Sequence, residues 1–590
     1  KLEWTTDDPV WVEQWPLPSE KLTVLKQLVE EQLKKGNIVP STSDWNSPVF
    51  AIRKPVTDRW RLLHDLRTVN KVIKDMGPLQ PGFPSPTMLH RNWQLAVLDI
   101  KDCFFHIPWM SWAPTIPLHP DDAPRFAFSI PTINQGEPKL RYHWRVLPQG
   151  MKNSPSICQW YVASLLSPVR QSHPQATIYH YMDDILVCAP TDNLLRLALN
   201  DTTEALRSAG FELQESKVQC LLPWKYLGLQ IGLQTMRPQK VSINLPIWTL
   251  NDAQHLCGAI NWVRLLLGLT NEDLDPLFNL LKGGDDLTAP RSLTPEAKEA
   301  LEKVSKAISS RQAHRRDPEL PFSFIILGES ANLHGLIFQW REKPQKEKTQ
   351  PEGTDSGDPL LIIECVFLGQ QRPKRITTPQ ELVASLIVKG RAQIWELAGC
   401  DFTCIHIPIK FKFGQLTQAW IDNLMSNTEA LQLALDSYAG EISIHKPQHK
   451  LFNDMTPYVL KLESVQSKVP RKALTVFTDV SGSSHKSVVT WQNPETLQWE
   501  SDIKVVEGSP QIAELDAVVR AFGRFSCPFN LVTDSAYVAG VISRIELAVL
   551  QEVAHPTLFS LLSDLRTLVS YREHPFYVLH VRSHTDLPGF

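Results

Sequence analysis

A chain of 590 residues exceeds what one hydrophobic core organises, so three to five domains are expected. Its 43% hydrophobic and 21% charged residues are those of a soluble globular protein, and no apolar run is long enough to span a membrane. A net charge of −3 excludes a global basic excess, so any nucleic-acid surface must be a local basic groove. Nine cysteines without paired spacing point to reduced thiols in a cytosol-like compartment. The start, Lys-Leu-Glu-Trp, has neither Met nor signal peptide, as expected of a piece of a larger chain or a processed product.

In chain order, Leu22, Leu25, Leu28, Val29 and Leu33 predict a helix ending near Gly36. Residues 46–75 read as strands and turns, with Lys54, Arg59, Arg61 and Arg67 interleaved with Trp60 and His64. Basic residues beside aromatics on a strand pair either clamp a polyphosphate or form a solvated face. An apolar strand then runs into Asp99. A buried acid needs a partner; capping a helix is one solution and metal ligation is the other. Phe104 follows five residues later and by itself reads as a core aromatic. A hairpin over 126–144 leads to Pro148-Gln149-Gly150 and a Ser-Pro helix start, which leaves Gln149 on a loop.

Ile178–Val187 holds two apolar strands around Tyr181-Met182-Asp183-Asp184. Adjacent carboxylates at a hairpin tip repel each other; a cation such as Mg²⁺ makes the tip favourable, and a solvated acidic turn is the alternative. A helix over about 192–209 ends at Gly210. Residues 241–320 read as helices, with Gln254, Gly258 and Trp262 on one face. A mid-helix Gly costs about 1 kcal/mol against Ala, so close approach of another helix is expected at Gly258. Residues 321–470 hold apolar strands, a solvated loop from Lys343 to Pro359 and helices near 379–397 and 414–436. In 471–590, Asp479 and Asp534 end apolar strands and Glu514 lies on an amphipathic helix beside a second acid, Asp516. Each alone suits a cap or a surface acid.

The ordered set Asp99, Gln149-Gly150, Tyr181-Met-Asp-Asp184 and Tyr226-Leu227-Gly228 resembles the palm of a retroviral reverse transcriptase. Trp11-Val-Glu-Gln-Trp-Pro16, Trp45-Asn-Ser-Pro48 and Leu147-Pro-Gln-Gly150 are phrased as in betaretroviruses and related endogenous retroviruses of the K-like class. Asp479, Glu514 and Asp534 with His580-Val-Arg-Ser-His584 resemble a ribonuclease H site. The resemblance covers nearly the whole chain. It implies an α/β (α+β) multidomain fold: fingers and palm over 1–240, thumb over 241–320, connection over 321–470 and ribonuclease H over 471–590.

By that resemblance the protein is an RNA- and DNA-directed DNA polymerase with a ribonuclease H. Asp99, Asp183 and Asp184 would hold two Mg²⁺ (or Mn²⁺) ions, as would Asp479, Glu514 and Asp534 with His584 beside them. Lys54, Arg61, Phe104, Gln149, Tyr181, Met182 and Lys217 would meet the dNTP, Phe104 excluding a 2′-hydroxyl and Lys217 donating a proton. Tyr226, Leu227, Gly228, Gln254, Gly258 and Trp262 would track the template–primer. Implied partners are RNA template, DNA primer, RNA–DNA hybrid and a second Pol subunit in a homo- or heterodimer, with no membrane. Virion core and host cytoplasm are the implied locations, or an endogenous provirus product.

Three departures from the pattern stand beside this. Residues 109–117 read as an insertion or a gene-model artefact near the nucleotide pocket, with a tolerated surface loop as the alternative, Val480 replaces a Gly, and the last ribonuclease H acid is expected beyond Phe590. Weak or absent nuclease activity follows as an expectation, and a catalytically impaired remnant or scaffold subunit that binds template–primer is the alternative.

Overall fold

The computed structural model describes residues 1–53, 60–77, 84–101, 103, 117–132, 138–239, 247–284, 286–328, 333–342, 358–369, 376–407, 428–453, 464–481, 486–551, 553 and 555–582. Lys54, Phe104, His584 and residues 109–116 of the expected insertion lie outside them. The chain forms two compact units, residues 1–240 with 314–317, and residues 241–313 with 318–590.

In the first unit, α1 (Ser19–Lys34) buries Leu22, Leu25 and Val29. Strands β1 (Val49–Arg53) and β2 (Trp60–His64) pair antiparallel. A short helix α2 (Arg67–Val72) stands where only strands and turns were expected, helped by Asp65, whose carboxylate accepts the Arg67 amide. The centre is a three-stranded antiparallel sheet of β3 (Gln94–Asp99), β4 (Thr177–Tyr181) and β5 (Asp184–Ala189), with β5 in the middle. Its apolar side chains pack on α3 (Ser154–Ser172) and α4 (Asp192–Ser208); Cys158, Val162, Leu166, Ala198 and Leu206 share one core with Ile178, Ile185 and Val187. The α3 start carries Pro155, whose missing N–H is one the first turn leaves unused anyway. Thr191 caps α4 by accepting the Leu194 amide.

A small antiparallel sheet of β6 (Trp224–Tyr226), β7 (Leu229–Ile231) and β8 (Thr235–Pro238) follows. The chain returns to this unit at 314–317. Arg315 is fully buried there, donating to the Gly232 and Trp93 carbonyls (3.1 and 2.9 Å) and to Cys188 Sγ (3.4 Å).

The second unit begins with α5 (Leu250–Leu267), α6 (Asn271–Phe278) and α7 (Pro295–Ser310), packed through Cys257, Ile260, Val263, Leu274, Leu277 and Val304. Thr249 with Asp252 and Thr270 with Asp273 form capping boxes that start α5 and α6. Two five-stranded sheets follow. The first comprises β9 (Phe322–Leu327), β10 (His334–Trp340) and β11 (Leu360–Phe367), then α8 (Pro379–Ala398), β12 (Cys404–His406) and β13 (Glu441–Ser443), in strand order β11-β10-β9-β12-β13. The second comprises β14 (Leu474–Ser481), β15 (Lys486–Gln492) and β16 (Trp499–Val505), then α9 (Pro510–Arg524), β17 (Phe529–Thr533), α10 (Ala536–Ile545), α11 (Pro556–Ser570) and β18 (Phe576–His580). Its order, β16-β15-β14-β17-β18, is the same path. Among the described residues no helix is long and apolar enough to cross a membrane.

Candidate active sites

The palm acids meet because of strand register. In the antiparallel β3–β5 pair Asp99 lies directly opposite Asp184, and the Asp183 carbonyl accepts the Ile100 amide (2.8 Å). Directly opposed residues bring their Cβ atoms to about 5 Å, so the two carboxylates crowd each other. Tyr181 pairs with Asp184 across the β4–β5 hairpin, which leaves Met182 and Asp183 as a two-residue turn. Such turns want a positive φ, normally supplied by Gly or Asn. Met182 supplies it with φ +54°, an uncommon conformation for a side chain of this size.

Burial, then the charges of Asp183 and Asp99, push the Asp184 carboxyl up to about 6. Lys217 partly offsets this. Its ammonium lies 2.6 Å from Asp99 Oδ2, and that hydrogen bond holds the lysine above its usual pKa. The mutual repulsion of three oxygen-donor side chains is the environment a hard dication relieves, so the donor chemistry fits Mg²⁺. Among the described residues, however, no three His, Cys, Asp or Glu side chains are close enough to hold an ion.

Beside the sheet, Arg61 donates to Gln149 Oε1 through Nε (2.7 Å) and through Nη2. The pair borders a cavity of about 530 Å³ that Trp15, Phe50, Arg67 and Asn70 also line. Asn70 brackets the turn after Gln149: it donates to the Gly150 carbonyl (2.8 Å) and accepts the Lys152 amide (2.9 Å). Gly150 has φ +97°, and a Cβ there would come within 3.3 Å of the His64 carbonyl, so the tight turn requires glycine. Arg67 is held by Asp65 through two contacts of 2.9 and 2.8 Å.

At the β6–β7 turn, Leu227 (φ +49°) and Gly228 (φ +76°) both have positive φ. Tyr226 departs from the expected contact role. It is 1% exposed, its hydroxyl is among the buried polar atoms without a hydrogen bond, and burial pushes its pKa up. An aromatic that packs in the core cannot lie on a duplex, so surface at this turn is left to Leu227 and Gly228. On α5, Gln254 and Gly258 are exposed and Trp262 is half-buried, opposite the buried Cys257 face. A Cβ built at Gly258 meets nothing within 4 Å among the described residues, so no neighbouring helix accounts for this glycine.

In the second five-stranded sheet, β14 and β17 run parallel with Thr478 opposite Thr533. The next residues are Asp479, inside β14, which runs on to Ser481, and Asp534, which directly follows β17, so the parallel pairing makes neighbours of two acids. From α9, Glu514 accepts the Ser535 hydroxyl (2.5 Å) next to Asp534. His580 Nε2 lies 3.3 Å from the Asp534 carbonyl. Asp516 has a different job. It is 5% exposed and ion-paired to Lys504 (2.8 Å) and Arg520 (2.9 Å), a buried link between the helix and the sheet.

Residues 52–231 match the reverse transcriptase (RNA-dependent DNA polymerase) family, and 238–302 match the reverse transcriptase thumb domain. Residues 335–452 match an ERVK-8-like, RNaseH-like domain and 471–589 match RNase H. Similar curated proteins are Gag-Pro-Pol polyproteins. That of sheep pulmonary adenomatosis virus is 36% identical over 590 residues, all of this chain and 32% of the polyprotein. That of mouse mammary tumor virus (strain BR6) is 37% identical over 591 residues, again all of this chain and 31% of the polyprotein. The matched residues belong to the reverse transcriptase and RNase H families.

The chain spans about a third of the length of these relatives. The chain thus carries a reverse transcriptase domain and an RNase H domain, two families that generally use divalent metals. In the sequence the acids, Arg61 and Gln149 stand out, whereas Asn70, Gln159 and Ser535 do not, because their partners lie 80, 23 and 21 residues away. Only Ser535 carried a local signal, standing directly after a strand-ending acid.

Proposed function

We propose that this chain copies RNA and DNA templates into DNA by two-metal nucleotidyl transfer and cleaves the RNA of RNA–DNA hybrids. The observation that carries this reading is the register that puts Asp99 opposite Asp184 at the Asp183 turn. Asp99 and Asp183, with Asp184 as the additional carboxylate, would hold two Mg²⁺ or Mn²⁺ ions. When bound, such ions activate the primer 3′-hydroxyl and stabilise the leaving pyrophosphate. Lys217 keeps its proton because Asp99 hydrogen-bonds to it, which suits it to protonate pyrophosphate. Arg61 and Gln149 would hold the triphosphate and sugar, with Lys54 and Phe104 contributing as the family pattern implies. Tyr181 and Met182 would border the incoming nucleotide. Leu227, Gly228, Gln254, Gly258 and Trp262 would follow the duplex by its backbone and shape, because base pairing carries the sequence. In the nuclease, Asp479, Glu514 and Asp534 would hold the ions that activate water, with His584 beside them.

The proposed setting is the virion core and host cytoplasm, with a second Pol subunit as partner. Primer extension on poly(rA)·oligo(dT), with Asp183→Asn as control, tests the reading. Extension by the wild type and none by the variant is expected. Duplex binding without extension in either Mg²⁺ or Mn²⁺ would overturn the reading in favour of a template-binding subunit.

A further inference from the structure

Gln159 on α3 is a buried polar side chain, 7% exposed. It reaches both sides of the catalytic turn. Its Oε1 accepts the Met182 amide at 2.6 Å, and its Nε2 donates to the His180 carbonyl at 3.3 Å. The peptide it grips is the one with the left-handed residue, Met182 at φ +54°.

A second layer fixes the same edge. Arg170 Nη2 lies 3.0 Å from His180 Nδ1, and an arginine can only donate, so Nδ1 is the acceptor. The proton therefore sits on His180 Nε2, which donates to the Gln159 main-chain carbonyl at 3.0 Å. Arg170 Nε also donates to the Ile178 carbonyl at 3.0 Å. Helix α3 thus meets residues 178, 180 and 182 in turn, every second residue leading into Asp183.

We propose that Gln159 is a positioning residue for nucleotidyl transfer: its carboxamide holds the Met182 backbone in the left-handed turn that sets Asp183 and Asp184 against Asp99. The inference rests on the polymerase reading above. A left-handed non-glycine residue is unfavourable unless its surroundings over-determine it. The two hydrogen bonds from one rigid helix supply that restraint. Gln159 touches neither substrate nor reacting atoms.

The test uses the full chain with Gln159→Met, which keeps volume and removes both hydrogen bonds, and Gln159→Glu, which keeps the acceptor for Met182. Template–primer affinity and melting temperature monitor the fold. In primer extension, Gln159→Met is expected to lower kcat by about 10- to 100-fold, with KM for dNTP and duplex affinity within about twofold. Gln159→Glu should recover most of the loss. Amide exchange at Met182 is read in parallel, and should rise in Gln159→Met and stay near wild type in Gln159→Glu. Unchanged exchange in Gln159→Met overturns the proposal, as does a kcat loss that is equal in the two variants or tracks lost duplex binding. If the wild type extends no primer but Met182 exchange follows this pattern, the restraint on the turn stands and the polymerase reading falls.

Discussion

The two five-stranded sheets of the second unit trace the same path and differ where it counts for chemistry. In one, Thr478 pairs with Thr533 and the next residues are Asp479 and Asp534. In the other, the last parallel pair is Ile325 with His406, and the next residues are Ile326 and Ile407, both buried. The helices correspond as well. Four residues after the Pro that opens α9 stands Glu514, and four after the Pro that opens α8 stands Val383, which is buried. The three acids of one sheet and its helix are matched by Ile326, Ile407 and Val383 in the other sheet and its helix. A strand end covered by neighbours is a good place for apolar side chains. Keeping acids there costs stability, so they persist where something is gained from their charge.

Exchanging residues between the two sheets breaks or sharpens this comparison. Asp479→Asn should reduce cleavage of an RNA–DNA hybrid by about a thousandfold or more while primer extension by the same chain is retained. A parallel loss of extension would mean that the change acts on the fold. The reverse exchange, Ile326→Asp, should create no nuclease. It should destabilise the first sheet by about 3 to 5 kcal/mol, seen in thermal or denaturant melting, because an unpaired carboxylate is buried among apolar strands. Asp516→Ala separates architecture from chemistry within α9. It removes the partner of Lys504 and one of the two carboxylates of Arg520, which keeps Asp502, and should cost about 1.5 to 3 kcal/mol of stability. Glu514→Gln should abolish cleavage with little change in melting.

The smallest effect concerns His406, the counterpart of Thr533. Burial holds its imidazole below the usual pKa, so it stays neutral in the fold. The unfolded chain takes up a proton as pH falls through about 6.5, so this contribution to stability is present above that pH and is lost below it. The drop in melting temperature between about pH 8 and about pH 5 should therefore be smaller in His406→Thr than in the wild type. An equal drop would assign the acid response to other groups.

Much of this was legible because it is local. An apolar run that ends in an acid marks Asp99, Asp479 and Asp534, and two apolar runs around Met-Asp-Asp mark a hairpin. Most of what escaped depends on residues far apart in sequence. Strand register, which makes neighbours of Asp99 and Asp184 and of Asp479 and Asp534, is set by packing across tens of residues. Helix α2 escaped because a side chain, Asp65, starts it and no apolar periodicity announces it. The resemblance implies a template–primer contact for Tyr226 together with Leu227 and Gly228, whereas the alternation of β6 turns its ring into the core. Gln159 looks like any polar residue on a helix until its partner, a backbone amide, is known.

The buried guanidinium of Arg315 bears on where the polymerase domain can be cut. A fragment ending at residue 240 keeps every palm acid but discards the side chain that satisfies the Trp93 and Gly232 carbonyls. Those acceptors would then face an emptied hole behind β3, at the far end of the strand that delivers Asp99. The smallest independently stable piece of the first unit therefore has to include residues 314–317.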